Sequence, residues 1–452
     1  MKICIIGCGL RTPLLLHGLI HSSLSVEEIA LFDVDPRHAN LMASMGTQMA
    51  HSRRSQVRSY AILDEAVDGS NFVLNCIRVG NMETRASDER LALECGFAGQ
   101  ETTGPAGFAM AQRTIPVVIA QAKVVQKRAP EAWIINFTNP AGIITQAVSK
   151  YTGTKIVGIC DTPTELFHRI ARSLGEDSNA VHCDYFGLNH LGWVKGVRVR
   201  GIDVMTKLLD DDPIRSLYPA KLFHADLLRL LGMIPTEYLF FYYNQKTALE
   251  HQLRAGVTRG QELCALNFQI WNSLETSMSA GDPEAALRVY RKYLNSRNSS
   301  YMRLEGAGEF GLEFEDTAWD PFEAATGYHR IAVDTISALS SEAPRCLILN
   351  VANQGSLEGI GRDDFVEVPC MVNREGAVPQ QIGGIPDSVR GLLTSVKQYE
   401  RLTIQAAVEH RRDLATLALT LNPIVGSWDA AGTFLESLAA RNGMAMEKRF
   451  DQ

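Results

Sequence analysis

The stretch "KICIIGCGLRTP", residues 2–13, decides the fold. Lys2–Ile6 is a short apolar run that reads as a strand, and it passes through Gly7 and Gly9 into a helical pattern. Glycines at such a junction let the backbone turn tightly and approach a pyrophosphate at a helix amino terminus. The third glycine of the dinucleotide fingerprint is missing, so the motif taken alone also suits a plain strand-to-helix turn. Gly7, Gly9, Leu10 and Arg11 are therefore candidate cofactor contacts.

Four more such runs follow within the first 161 residues: Glu28–Phe32, Asn71–Ile77, Trp133–Phe137 and Lys155–Ile159. Helical patterns such as Arg113–Lys127 fall between most of them, and this alternation predicts a Rossmann-like, doubly wound parallel α/β sheet. Ligands of such sheets sit outside the carboxyl ends of the strands. The polar clusters "GCGLRTP", "DVDP", "RVGNMETR", "NFTNPAG" and "CDTP" follow those ends. Asp33 ends the second strand, where a carboxylate accepts hydrogen bonds from a ribose diol and repels a 2′-phosphate, favouring NAD over NADP.

After "VHCDYFGLNHLGW" the rhythm changes. Aromatic "PTEYLFFYY" at 235–243, strands around Cys346–Val351 and a long last helix near Leu402–Leu421 predict a second, α+β domain. The expected division is a dinucleotide-binding domain over 1–190 and a substrate and oligomerisation domain over 191–452. There is no low-complexity tether, so the two parts should pack closely with the site between them.

Of the 452 residues, 46% are hydrophobic and 21% charged, enough apolar material for a large core. The net charge of -7 argues against nucleic acid or an anionic membrane as the main partner. No apolar run approaches the ~20 residues that span a bilayer, and the first residues run directly into a strand. A cytoplasmic location is expected. Nine cysteines without paired spacing suggest reduced thiols.

Several residues carry candidate chemistry. Cys160 in "GICDTP" and His190 in "GLNHLGW" offer a thiolate and an imidazole that could bind a divalent metal and leave positions open for substrate oxygens. On spacing alone the better reading is the bland one, a buried cysteine and a satisfied histidine. The segment "RVGNMETRASDERLALECGFAGQETTGPAG" sets Arg78, Arg85 and Glu101 beside a glycine-rich loop. Tyr238, one of several aromatics in its segment, suits a core or interface position as well as a site.

Taken in order, "GQETTGPAGFAMAQRTIP", "INFTNPAG", "GICDTP", "FGLNHLGW", "PTEYL" and "VEVPC" resemble glycoside hydrolase family 4, the NAD- and metal-dependent glycosidases, and most of all its 6-phospho-β-glucosidases. The resemblance covers nearly the whole chain. It implies a lactate/malate dehydrogenase-like fold, NAD as cofactor, and manganese(II) held by Cys160 and His190. It implies Tyr238 as catalytic base, Glu101 and Glu367 as carboxylates tied to activity, and Arg78 and Asp33 on the cofactor side. Arg85, Asn139, Asp161, Asn189 and Arg259 fall on the substrate side, and a homodimer or homotetramer is expected.

The implied reaction oxidises C-3 of the sugar, removes the C-2 proton, eliminates the aglycone and adds water, an exception to the two-carboxylate scheme of most glycosidases. "CDTP" and Arg11 depart from the forms common among 6-phospho-β-glucosidases, which bears on the substrate. A C-6 phosphate is the expected anion, and a sulfoquinovoside, with a sulfonate at C-6, is the alternative for the same chemistry. A plain NAD-dependent dehydrogenase is a second alternative that leaves Cys160 and His190 without a role.

Overall fold

In the computed structural model, which describes residues 1–51, 55–210, 219–302 and 320–442, strand β1 (Lys2–Ile6) turns through Gly7 into helix α1 (Thr12–His21). Gly7 has φ +94°, and a Cβ there would lie 2.8 Å from the backbone of Cys76 and Ile77. Only glycine fits this position, on both counts.

Strands β2 (Glu28–Phe32), β3 (Gln56–Tyr60), β4 (Phe72–Asn75), β5 (Trp133–Asn136) and β6 (Ile156–Gly158) join β1 in the order β3-β2-β1-β4-β5-β6, every neighbouring pair parallel. This is the strand order of dinucleotide-binding sheets. Ile3, Ile5, Ile29, Leu31, Val73, Leu74 and Ile135 are fully buried, as a parallel sheet covered on both faces requires. The expected doubly wound α/β fold is present.

Beyond β6 the same sheet continues antiparallel. Strand β7 (Val181–Leu188) forms a hairpin with β8 (Leu191–Val199). Two later strands, Arg345–Ala352 and Phe365–Asn373, sit between β6 and β7. Asn350 pairs with Gly158, and Glu367 pairs with both Asn350 and Gly187. One sheet thus runs through both parts of the chain, and its register carries Glu367 to the end of β6, beside Cys160.

Three details differ from the sequence reading. The edge strand β3 was not anticipated, because "QVRSY" buries only Val57 and has no continuous apolar run. The helix expected over Arg113–Lys127 begins earlier and spans Gly104–Arg128, with Pro116 inside it. The single last helix is instead two, Asp387–Glu409 and Arg412–Leu421, separated at His410, whose φ of +55° ends the first. A further helix, Trp428–Asn442, follows. All nine cysteines are free thiols. No described helix is long and apolar enough to cross a membrane.

Candidate active site

Cys160 follows β6 at the carboxyl edge of the sheet, and helix α2 (Thr162–Ser173) starts two residues later. Burial pushes its thiol well above the ordinary range, with Glu367 and Asp161 adding to the rise. His190 is the second residue of the two-residue connection between β7 and β8, with φ +61°, and is 5% exposed. The hairpin thus holds an imidazole against the end of the sheet in a conformation that non-glycine residues seldom adopt.

The tautomer of His190 follows from its neighbours. Gln100 Oε1 accepts the backbone N–H groups of Thr102 and Thr103 at 2.6 and 2.8 Å, so it is an acceptor. The Thr102 hydroxyl donates to that same oxygen at 2.8 Å. Its oxygen, 2.7 Å from Nδ1 of His190, must therefore accept the Nδ1 proton. Nε2 is left with its lone pair. Burial holds the ring neutral, with a pKa lowered to about 3.

Tyr238, in a short 3-10 turn Glu237–Leu239, lies with its ring stacked on that of His190, and the charge of Cys160 is among those acting on its phenol. Burial pushes the phenol well above its ordinary value. The structure therefore brings Cys160, His190 and Tyr238 together from three distant segments. Behind Cys160, the Glu367 carboxylate accepts from Tyr185 Oη at 2.6 Å, Asn350 Nδ2 at 2.8 Å and Asn189 Nδ2 at 3.2 Å. Asn189 also accepts the N–H of Ala141, so its amide is committed to the frame of the site.

A cavity of about 270 Å³ has Tyr238 in its wall, with Arg11, Arg85, Glu101, Asn139 and Asp161, while Cys160 and His190 lie behind that wall. Glu101 is shared by two guanidiniums, Arg78 at 2.6 Å and Arg85 at 2.7 Å. Burial alone would raise the Glu101 carboxyl, but Arg78, Arg85 and Arg11 outweigh it and hold it well below the usual carboxylate range. Arg85 is paired a second time, with Glu89 at 2.7 Å. The Arg11 guanidinium lies 3.7 Å from the ring centre of Tyr328 and feels Asp161, Glu101 and Tyr238, so it faces the cavity as well as the glycine turn. Arg259 donates to Ser300 Oγ at 2.6 Å and to the Arg297 carbonyl at 2.7 Å, and lines the same cavity.

The glycine turn fits a dinucleotide. Asp33 Oδ2 accepts the Cys8 N–H at 2.7 Å and Oδ1 the Asp35 N–H at 2.9 Å, fixing the carboxylate at the end of β2. The Thr12 hydroxyl, at the first turn of α1, is buried without a hydrogen-bond partner, and the space over Gly9 is open to 4 Å. A phosphate oxygen would satisfy the first and fill the second. For a metal, Cys160 Sγ and His190 Nε2 are the two candidate donors. Among the described residues no group of three or more His, Cys, Asp or Glu forms a closed metal site. A two-donor site leaves coordination positions for a substrate.

Sequence reasoning missed Glu237, Tyr301, Arg297, Tyr328 and Thr102. Glu237 stands inside the quoted "PTEYL" and could have been found there. Thr102 likewise stands beside Glu101 in the quoted "GQETTGPAG", whereas Tyr301, Arg297 and Tyr328 reach the site only through tertiary packing and carry no local signal.

Comparison with known proteins gives matches over nearly the whole chain. "Family 4 glycosyl hydrolase" matches residues 2–176, and "Family 4 glycosyl hydrolase C-terminal domain" matches residues 185–425. The chain is 31% identical to a 6-phospho-beta-glucosidase of Escherichia coli (strain K12), over 94% of this chain and 92% of the relative. It is 30% identical to the "Probable 6-phospho-beta-glucosidase" of Bacillus subtilis (strain 168), over 97% and 95%. The structure of the 6-phospho-beta glucosidase from Thermotoga maritima with manganese, NAD+ and glucose-6-phosphate is 26% identical, covers 98% of each chain and superposes with a TM-score of 0.79.

Proposed function

The chain belongs to family 4 of the glycosyl hydrolases, and from that premise we propose that it is an NAD- and manganese(II)-dependent 6-phospho-β-glucosidase. The observation that carries a C-6 anion is the five arginines that line one cavity, Arg11, Arg85, Arg169, Arg259 and Arg297, of which Arg259 and Arg297 adjoin each other. Burial, then the charges of Arg297 and Arg85, lower the proton affinity of Arg259. A dianionic phosphate offsets that repulsion and accepts charge-assisted hydrogen bonds.

The proposed reaction passes through C-3 oxidation, C-2 deprotonation, elimination of the aglycone and addition of water. When bound, NAD supplies a reversible hydride acceptor, and the divalent metal a Lewis acid whose charge favours the Tyr238 phenolate. The residues supply position and proton transfer. Gly7, Gly9, Leu10 and Arg11 form the dinucleotide turn, Asp33 takes the ribose diol, and Arg78 anchors the cofactor side through Glu101. Cys160 and His190 would hold the metal. Tyr238 takes the C-2 proton. Glu101 stays ionised, so its part is to orient Arg78 and Arg85. Asn139 and Asp161 face the sugar, while Asn189 and Glu367 brace the metal pair from behind. The same reading gives a cytoplasmic homodimer or homotetramer with neither nucleic acid nor membrane as partner.

The test compares p-nitrophenyl 6-phospho-β-glucoside with the unphosphorylated glucoside and with p-nitrophenyl sulfoquinovoside, each with NAD, manganese(II) and reductant. The phosphorylated substrate should be cleaved with a kcat/KM at least about 10²-fold above the unphosphorylated glucoside, the value of one or two charge-assisted contacts, and also above the sulfoquinovoside. Preference for the sulfonate or for the uncharged glucoside would overturn the assignment.

A further inference from the structure

Helix α3 (Pro283–Ser299) makes a contact that no step so far uses. Tyr290, fully buried in its middle, donates its hydroxyl to the carbonyl of Leu10 at 2.6 Å, across 280 residues of sequence. Burial pushes the phenol above its ordinary value, so the hydroxyl keeps its proton and stays a donor. The backbone N–H of Leu14 acts on the same phenol oxygen. The hydroxyl thus bridges a carbonyl and an N–H one turn apart, where α1 begins. The helix that carries it is fixed at both ends. Asp282 caps its start, accepting the Ala285 N–H at 2.8 Å, and Arg259 donates to the Arg297 carbonyl near its end at 2.7 Å.

This bond decides which way one peptide faces. A trans peptide is planar, with its C=O and N–H opposed. The Leu10 carbonyl is directed along α1 at Tyr290, so the Arg11 N–H is directed out of the amino end of the helix. The Thr12 hydroxyl, 1% exposed and without a partner in the same turn, and the open space over Gly9 mark that end as the one a ligand fills. N–H groups there attract a phosphate, and a carbonyl oxygen turned the same way would repel it.

We propose that Tyr290 is a positioning residue for the cofactor, locking the Leu10–Arg11 peptide so that the glycine turn presents an N–H and not a carbonyl oxygen to the pyrophosphate. The inference rests on the reading of this turn as the dinucleotide site. The cofactor turn is thereby completed from the second half of the chain. Without the hydroxyl the Leu10 carbonyl loses its donor in a dry interior, a loss that the flipped peptide escapes.

The test measures the Kd of NAD, ADP-ribose and adenosine for the full chain by calorimetry, with neither metal nor substrate present. ADP-ribose keeps the pyrophosphate and lacks the nicotinamide, and adenosine lacks both. Tyr290→Phe should weaken NAD and ADP-ribose by about 10-fold or more and adenosine by less than about two-fold. Tyr293→Phe removes a phenol hydroxyl from the same helix, one bonded to Asn267 Oδ1 at 2.8 Å, and should leave all three unchanged. Equal weakening of adenosine by Tyr290→Phe would mean general loosening and overturn the lock. Unchanged NAD affinity, the result expected if the Leu14 N–H alone holds the carbonyl, would overturn it too. Should Tyr290→Phe not fold, hydrogen exchange of the wild type decides: NAD and ADP-ribose must protect the Arg11 amide and adenosine must not, and an Arg11 amide that NAD leaves unprotected overturns the lock. Wild-type binding of NAD no tighter than that of adenosine would remove the dinucleotide turn itself, which separates that failure from the failure of the lock.

Discussion

The imidazole of His190 lies flat against the phenol ring of Tyr238, their centroids 3.7 Å apart and their planes 14° from parallel. The stack ties the proposed metal donor and the proposed base into one unit. Neither ring can turn without displacing the other.

Thr102→Val removes the hydroxyl that takes the Nδ1 proton of His190 while keeping the shape of the side chain. The imidazole loses its fixed tautomer, and manganese(II) binding should weaken about 10- to 100-fold, read from the spectrum of free manganese in an electron paramagnetic resonance titration. Unchanged affinity would mean that the hairpin alone orients the ring. Cys160→Ala should abolish binding in the same titration.

Tyr238→Phe should lower kcat by about 10²- to 10⁴-fold and leave KM within a few-fold, because the lost group acts in the transition state. Turnover at the wild-type rate would remove Tyr238 from the reaction.

Arg297→Met should raise KM for the 6-phosphorylated substrate by about 10-fold or more and change KM for an unphosphorylated glucoside little. An equal change for both would place Arg297 in the frame of the cavity and not at the anion.

Glu237 also sets a pH dependence of stability. Its folded pKa of about 7 lies above the ordinary 4.5, so the folded state binds the proton more tightly than the unfolded chain. The stability linked to that proton is fully present below about pH 4.5 and is lost as pH rises through about 7. Glu237→Gln cannot ionise, so it should gain on the wild type across that window, by on the order of 3 kcal/mol at pH 8 in chemical denaturation. Equal stability of the two at pH 8 would contradict the buried carboxylate.

The parallel core was legible because each strand of a sheet covered on both faces is a continuous apolar run, and polar clusters mark where each ends. Cys160 and Asp33 could be placed for that reason alone. β3 was not legible, since an edge strand with one buried residue has no such run. The break at His410 was hidden because histidine, unlike glycine, does not announce a left-handed residue. Tyr301 and Arg297 come from a helix end more than 50 residues beyond Tyr238, and only packing brings them to the cavity. The positions of Cys160, His190 and Tyr238 relative to one another were likewise beyond reach of spacing, and their grouping depended on the family resemblance.

The most direct test of the account is hydrolysis of p-nitrophenyl 6-phospho-β-glucoside in heavy water with NAD, manganese(II) and reductant, following nitrophenol release and deuterium at C-2 of the sugar. The account predicts release that requires both NAD and metal, with deuterium incorporated at C-2. Release without NAD, or a product carrying only hydrogen at C-2, would contradict it.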